Sequence, residues 1–206
     1  MKKIVLLSQK GGSGKTTLTV HLAVAAQSSG EDVVIVDIDP QASATAWSDL
    51  RGELSPEVTT VSPSSLTNVL KASQSVGKTL AIIDTAPHSA PGAVQAALVG
   101  DLILIPCRPT AFDLAAIGAA VNIVKASQKK AAFILNACHQ RSPEVKEARE
   151  ALLSYGFPVI PIEIGDRRAY ARAVASGKAV TEFEKSGKAA QDINALWKWI
   201  KETLSW

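Results

Sequence analysis

A run rich in glycine and lysine near the start of the chain has the residue types that bind a triphosphate. It reads Lys10-Gly11-Gly12-Ser13-Gly14-Lys15-Thr16-Thr17, with an apolar run, Ile4–Ser8, before it and a helical pattern, Thr17–Gln27, after it. Glycines let backbone N–H groups turn inward around an anion, and a following helix adds the positive end of its dipole. This order predicts a phosphate-binding loop (P-loop) in which Lys15 contacts the β- and γ-phosphates and the Thr16 hydroxyl ligates Mg²⁺.

Two further apolar runs end in acidic residues. The run Ala81-Ile82-Ile83-Asp84 ends in a carboxylate, which behind a P-loop predicts that Asp84 holds Mg²⁺ directly or through water. The run Ile35-Val36-Asp37-Ile38-Asp39-Pro40-Gln41 places two carboxylates two residues apart. Asp39 followed by Pro40 also suits the start of a helix over residues 42–50, and this capping role is compatible with a chemical one.

The spacing of the apolar runs predicts the fold class. Runs of strand length recur, with helical stretches between most of them, at Ile4–Ser8, Val33–Asp37, Leu80–Asp84, Leu102–Pro106, Ala132–Asn136 and Val159–Ile162. Continuous rather than alternating hydrophobicity indicates strands covered on both faces. We therefore expect an α/β fold: a mainly parallel twisted sheet with helices on both faces. Residues 52–65 read as a loop around one weak strand near Val58–Val61, and no role is assigned to this loop.

Length and composition predict one domain over residues 1–206. Apolar residues make up 47% and charged residues 20% of the chain, as in ordinary globular proteins. The longest apolar runs are far shorter than the roughly 20 residues that a membrane span requires. Met1 lies almost against the first strand, which leaves no room for a signal peptide, so we expect a cytoplasmic protein. Cys107 and Cys138 form no CxxC pair and are expected to be buried free thiols.

The P-loop with its extra lysine, Lys10, resembles the deviant Walker A box of the ParA/MinD/Soj group of P-loop ATPases. All seven positions of that pattern, Lys-Gly-Gly-x-Gly-Lys-[Ser/Thr], match. The run from Asp37 to Gln41 is similar to the A′ box of the same group, Asp-x-Asp-Pro-Gln. The resemblance implies a Mg²⁺-dependent ATPase in which Asp39 positions or activates the attacking water and Asp37 supports the metal region.

The same resemblance assigns further roles around the nucleotide. Lys10 is expected to act with Lys15 and Asp39 in catalysis, by crossing a two-fold interface to the partner's phosphates in an ATP-bound homodimer. Asn136 falls where family members use an asparagine to read the adenine edge. The stretch from Pro106 to Pro109 is similar to the family's loop beside the base, although no role is assigned to Arg108.

A basic segment lies in the last third of the chain. Residues 167–178 contain four cations and no acid, namely Arg167, Arg168, Arg172 and Lys178. Four cations are also common on a solvated helix face, which is the alternative interpretation. In partition ATPases, however, the matching region contributes to nonspecific DNA contact in the dimer, and the resemblance favours that role here.

The final helical pattern, Asp192–Leu204, places Ile193, Leu196, Trp197, Ile200 and Leu204 on one stripe. Packing onto the sheet is the ordinary interpretation. A MinD-like relative would use such a helix to bind a bilayer, and Lys198, Trp199, Lys201 and Trp206 leave that alternative open. Glu202 and the low number of cations argue against an anchor for anionic lipid, so membrane binding is not expected.

The resemblance covers essentially the whole chain and is closest to small ParA-type partition ATPases without an N-terminal helix-turn-helix domain. It implies nonspecific binding to nucleoid DNA and a separate ParB-like, centromere-binding partner that stimulates hydrolysis. The cargo is a plasmid, a chromosome or a protein assembly. Two other classes fit less well: a ligase of the dethiobiotin-synthetase type needs inserted residues for its substrate pocket, and an iron–sulfur carrier needs paired cysteines.

Overall fold

A computed structural model describes residues 1–52, 55–139 and 141–205, and within them six parallel strands form one sheet of order β3-β2-β4-β1-β5-β6. The strands are β1 Lys2–Leu6, β2 Val33–Asp37, β3 Glu57–Thr60, β4 Leu80–Asp84, β5 Leu102–Cys107 and β6 Lys130–Leu135. The described helices are α1 Lys15–Ser28, α2 Ser43–Arg51, α3 Leu66–Ser75, α4 Ala90–Val99, α5 Ala111–Ser127, α6 Pro143–Leu153, α7 Arg168–Ala175, α8 Val180–Phe183 and α9 Lys188–Thr203. The predicted α/β class is confirmed, and β3 is the weak strand expected in the 52–65 loop.

Strands β1, β2, β4, β5 and β6 bury residues on both faces, as the continuous apolar runs predict, whereas the edge strand β3 is only partly buried. In β1, Ile4 and Leu6 pack into a core with α1, α2 and the last three helices. Val5, in the same strand, packs into a second core with α3 to α6 on the opposite face. The sheet therefore separates two hydrophobic layers. Packing on both faces holds in place the strand ends that carry the polar residues.

The register of the central strands brings the acidic residues together. Asp37 at the end of β2 lies directly opposite Asp84 at the end of β4. Leu6, the last residue of β1, pairs with Asp84 from the other side, so the chain enters the P-loop beside that carboxylate. Since the strands are parallel, all three motifs meet at one edge of the sheet.

The prediction of a strand at Val159–Ile162 was wrong. Val159 forms only an isolated parallel bridge with Phe133 of β6, although its neighbours exchange hydrogen bonds with that strand. Pro158 and Pro161 flank this point and have no N–H to donate, which prevents a continuous ladder. The segment therefore runs along the edge of the sheet as irregular chain.

The final helix packs onto the protein itself. All five residues of its predicted stripe are buried, and the Trp197 indole N–H donates to Ser29 Oγ at the end of α1 over 2.8 Å. No helix in the described part of the chain is long and apolar enough to cross a membrane. Trp206, which the membrane alternative included, lies outside the described residues. The apolar face of α9 is thus used in the core.

Both cysteines are buried free thiols, as predicted. Burial raises the pKa of Cys107 and of Cys138 to about 12, so neither forms a reactive thiolate near neutral pH.

Candidate functional site at the carboxyl edge of the sheet

The P-loop presents free backbone donors. The N–H groups of residues 11–17 donate no hydrogen bond to any other residue that the structure describes. Gly12 and Gly14 have φ angles of 74° and 96°, in the left-handed region that glycine adopts without strain. Helix α1 starts directly afterwards at Lys15, so the unpaired N–H groups of its first turn continue the loop. A ring of free donors at a helix N-terminus is suited to phosphate.

A cavity of about 240 Å³ connects the loop to the acidic run after β2. Its walls include Gly12, Lys15 and Thr16 of the loop and Asp39 of the acidic run. Lys15 is buried, and its Nζ donates to the Lys10 carbonyl over 3.2 Å. Burial lowers the pKa of Lys15, while the nearby charges of Asp84 and Asp39 act in the opposite direction. A triphosphate in this cavity would add the anionic charge that favours the protonated amine.

The carboxylate of Asp37 braces the backbone. It is fully buried, and it accepts from the Asp39 N–H over 2.9 Å and from the Ala44 N–H in the first turn of α2 over 3.1 Å. Asp39 instead accepts from the Gln41 N–H over 2.9 Å, which stabilises the turn before the helix. The helix-capping role considered for Asp39 therefore belongs to Asp37. Asp39 is half-buried and faces the cavity.

Asp84 has the chemistry of a metal-site residue. Both of its carboxylate oxygens are buried without a hydrogen-bond partner among the residues that the structure describes. Burial raises the pKa of Asp84 to about 7. The Thr16 hydroxyl and the Lys15 charge lower this pKa but offset the effect of burial only in part. A buried carboxylate of this kind next to a phosphate loop fits a divalent cation, which would supply further positive charge.

The described residues do not by themselves form a closed metal site. No group of three or more His, Cys, Asp or Glu side chains in the described segments is arranged to hold an ion. This agrees with the way P-loops bind Mg²⁺, through one hydroxyl, phosphate oxygens and water. Thr16 would provide the hydroxyl and Asp84 the outer carboxylate. Asp37, which lies opposite Asp84 in the sheet, would hold the neighbouring backbone in place.

Asn136 lies against the P-loop and lines a second cavity, of about 190 Å³. Its amide Nδ2 donates to the Ser13 carbonyl over 2.7 Å, and it sits where a side chain on Gly14 would be. The bond to Ser13 uses one of the two N–H groups, so Oδ1 and the second N–H are available to a base edge. Arg108 and Tyr170 line the same cavity, which places Arg108 beside the predicted base.

Lys10 forms a contact that the sequence did not reveal. Its Nζ donates to Asp113 Oδ2 over 2.5 Å, and the lysine side chain is 35% exposed whereas that of Asp113 is 6% exposed. Thr110 caps helix α5 and also donates to the Asp113 carboxylate over 2.6 Å. The spacing Thr110-x-x-Asp113 is a capping signal, but its ion pair with Lys10 joins residues 103 positions apart.

The predicted basic segment divides into two parts. Arg167 is half-buried, donates to Asp192 over 3.0 Å and lines the cavity beside Asn136. The Nε of Arg167 is thus engaged within the chain, which distinguishes this residue from the three exposed cations. Arg168, Arg172 and Lys178 are exposed and form no ion pair with any other described residue.

Comparison with known proteins agrees with this geometry. Residues 4–180 match the model of the CobQ/CobB/MinD/ParA nucleotide binding domain. The chain is 30% identical over 214 residues to the maintenance of carboxysome distribution protein A of Gloeobacter kilaueensis, with 98% of this chain and 93% of that protein covered. It is 29% identical over 223 residues to Protein ParA of Rhizobium radiobacter, with 99% and 100% covered.

A solved structure shares the fold. The septum site-determining protein MinD of Pyrococcus horikoshii, complexed with Mg-ADP, superposes with a TM-score of 0.78 at 20% identity, covering 98% of this chain and 96% of that one. The region that matches the family model runs from β1 to the start of α8 and so contains the whole phosphate-binding edge. The chain therefore belongs to the family of CobQ, CobB, MinD and ParA nucleotide-binding domains.

Proposed function

We propose that this protein is a ParA-type, Mg²⁺-dependent ATPase that positions a cargo by cycling on and off DNA. ATP binding drives formation of a homodimer, the dimer binds nucleoid DNA without sequence preference, and hydrolysis releases it. A separate ParB-like protein, bound to the cargo, stimulates hydrolysis. The cargo in this proposal is plasmid or chromosome DNA, and the cell compartment is the cytoplasm.

One observation supports the proposal most directly: of the two lysines in the loop, one lies inside the phosphate cavity and the other lies outside it. Lys15 is buried inside the cavity and serves the phosphates of its own chain. Lys10 lies outside that cavity's walls, partly exposed, and its Nζ pairs with Asp113. A nucleotide needs one such lysine in its own chain, so the second cation is free to serve a partner's nucleotide once it leaves Asp113.

We expect Lys10→Ala to bind ATP normally but to remain monomeric with ATP, because the cation that would compensate the partner's phosphates is gone. Light scattering with and without ATP measures this directly. Lys3→Ala is a matched control, since it breaks another lysine–aspartate pair, Lys3–Asp101 at 3.1 Å, at the opposite edge of the sheet. ATP-dependent dimers of Lys10→Ala that match wild type would exclude the role in trans.

The proposed DNA surface consists of Arg168, Arg172 and Lys178. The two arginines are four residues apart on α7, and the lysine is in the turn that follows. The Arg172 guanidinium lies 5.4 Å from the ring centre of Phe183, which holds its stem against α8. Three cations give weak attachment at physiological salt, whereas a two-fold dimer would present six to one duplex.

A dimer using about six phosphate contacts should lose roughly a thousandfold in DNA affinity over a fourfold rise in salt, since the logarithmic slope is about −0.9 per contact. Arg168→Ala with Arg172→Ala should reduce this slope to about −2, because about two contacts remain, and leave ATP binding and dimerisation intact. Salt titrations by fluorescence anisotropy measure the slope, with scrambled duplexes as competitors.

Lys125→Ala with Lys146→Ala is the control for the DNA experiment, because it removes two exposed cations from α5 and α6. An unchanged slope in the α7 double variant would move the DNA surface elsewhere, with Lys198 and Lys201 on α9 as the next pair to replace.

A protein cargo is the second candidate function. It is favoured by the 30% identity, over nearly the whole chain, to a protein named for maintaining carboxysome distribution. The ATPase cycle and the DNA surface are the same in this alternative, and only the partner's attachment differs. Co-purification of the tagged protein with either a DNA-bound adaptor or an assembly-bound adaptor separates the two.

A further inference from the structure

Helix α2 connects the acidic run after β2 to the basic segment. At its start, the Asp37 carboxylate accepts from the Ala44 N–H over 3.1 Å. The same carboxylate accepts from the Asp39 N–H over 2.9 Å. The loop that faces the phosphate cavity and the first turn of α2 are therefore bound to one buried group. A shift of Asp39 toward a γ-phosphate would be transmitted to the helix.

The other end of α2 is joined by an ion pair to Glu182 of α8, directly after the turn that follows α7. The Arg51 guanidinium donates to both carboxylate oxygens of Glu182, over 2.8 and 2.7 Å, and its side chain is only 7% exposed. It also donates to the Gly177 carbonyl over 3.2 Å. A two-pronged contact of this kind fixes orientation as well as distance.

Close packing reinforces the ion pair. A Cβ on Gly177 would lie 2.6 Å from the backbone of Arg51, so the turn approaches α2 too closely for any side chain at that position. The Trp47 indole, 2% exposed, donates to the Lys178 carbonyl over 3.3 Å. The turn that carries Lys178 therefore rests directly on the last two turns of α2.

Glu182 is held ionised in this contact. Burial alone would raise its pKa, but hydrogen bonds from Arg51 and from the Ala179 N–H outweigh that effect and lower the pKa. Since both groups are charged, removing one alone changes the charge balance of the contact, so the two are best replaced together.

We propose that Arg51 and Glu182 are positioning residues that make α2 carry the nucleotide state from the Asp37–Asp39 loop to the basic segment. The helix has nine residues, is about 13 Å long and is held at both ends, so a displacement at Ser43 would be carried along it to the turn at residues 176–179. That turn and α7 place Lys178, Arg168 and Arg172. The inference rests on the proposed function, because the state that α2 transmits is the presence of ATP.

The test uses Arg51→Met combined with Glu182→Gln, which removes both charges and keeps an acceptor for the Ala179 N–H. The chain offers a matched control in Arg149 and Glu163, an exposed-edge pair at 2.9 Å in which the arginine also donates to the Ile160 carbonyl. Arg149→Met with Glu163→Gln removes a similar pair that does not touch α2.

The first readout is the ratio of DNA affinity in ATP to that in ADP. Couplings between two sites are typically about 5- to 150-fold. We expect the Arg51/Glu182 variant to bring the ratio to within about threefold of unity with ATP affinity unchanged, and the Arg149/Glu163 variant to keep the wild-type ratio. A wild-type ratio in the Arg51/Glu182 variant would overturn the inference.

The second readout needs no DNA and separates the inference from the proposed function. Hydrogen exchange in ATP and in ADP should differ at residues 168–184 of the wild type, and this difference should vanish in the Arg51/Glu182 variant while protection of the P-loop persists. If the wild type shows no ATP-dependent DNA binding, the proposed function fails, and the hydrogen-exchange comparison alone then tests the inference about α2. A persisting difference at residues 168–184 in the variant overturns the inference.

Should the double variant fail to fold, Arg51→Lys replaces it. The lysine keeps the charge beside Glu182 but cannot contact both carboxylate oxygens in the arginine geometry. We expect it to reduce the ATP-to-ADP ratio while retaining the wild-type fold, and an unreduced ratio would also overturn the inference.

Discussion

Lys15→Ala is expected to abolish nucleotide binding, with a loss of affinity of at least about a hundredfold. Lys15 is buried in the phosphate cavity, and each charge-assisted hydrogen bond to a phosphate oxygen contributes about 1.5–3 kcal/mol. Two such bonds correspond to roughly two to four powers of ten, at about 1.4 kcal/mol for each power of ten. The substitution also leaves the negative charges of Asp84 and Asp39, which act on Lys15, to repel the incoming anion.

Isothermal titration calorimetry with ATP and ADP measures this loss. Lys129→Ala is the control, because Lys129 lies just before β6 at the opposite edge of the sheet. Both variants should have the thermal stability of a folded protein, which excludes unfolding as the cause. Unchanged ATP affinity in Lys15→Ala would contradict the assignment of the P-loop.

Asp39→Ala is expected to bind ATP and dimerise but to hydrolyse ATP about a hundred to ten thousand times more slowly. That range is typical for the loss of a group that acts on a proton or orients a water. Asp39 lines the same cavity as the glycines but is not part of the phosphate-binding loop, so its removal leaves that loop intact. Turnover is measured by phosphate release in single-turnover experiments.

Asp39→Asn separates catalysis from turn formation. The asparagine keeps an oxygen that can accept from the Gln41 N–H, so a role limited to the turn would leave hydrolysis unchanged. We expect Asp39→Asn to be as slow as Asp39→Ala while retaining the stability of the wild type. Near-normal turnover in the asparagine variant would show that the carboxylate only stabilises the turn.

The parts of the site that the sequence predicted are those whose signals are local. The P-loop, Asp84 and the pair Asp37 and Asp39 each directly follow an apolar strand, so their place at one edge of a parallel sheet followed from the pattern alone. The register confirms it by setting Asp37 opposite Asp84. The sequence favoured Asp39 at the start of α2, but the carboxylate that accepts from the first turn of the helix is that of Asp37, because which carboxylate reaches the helix depends on the path of the turn and not on spacing.

Other features were beyond sequence reasoning because they join distant parts of the chain. The pair Lys10–Asp113 spans 103 positions, and the pair Arg51–Glu182 spans 131. The sequence around a charged residue in a polar segment does not indicate which distant residue it pairs with. Arg167 looked like its basic neighbours for the same reason, although its partner Asp192 lies 25 positions later on α9.

The central claim is that ATP converts the protein into a form that binds DNA, and one comparison tests it most directly. Binding of the wild-type protein to a random duplex and to anionic liposomes is measured side by side, each with ATP, with ADP and without nucleotide. The account predicts binding to DNA with ATP only and no binding to liposomes in any state. DNA binding that is equal in all three states, or liposome binding that requires ATP, would contradict it.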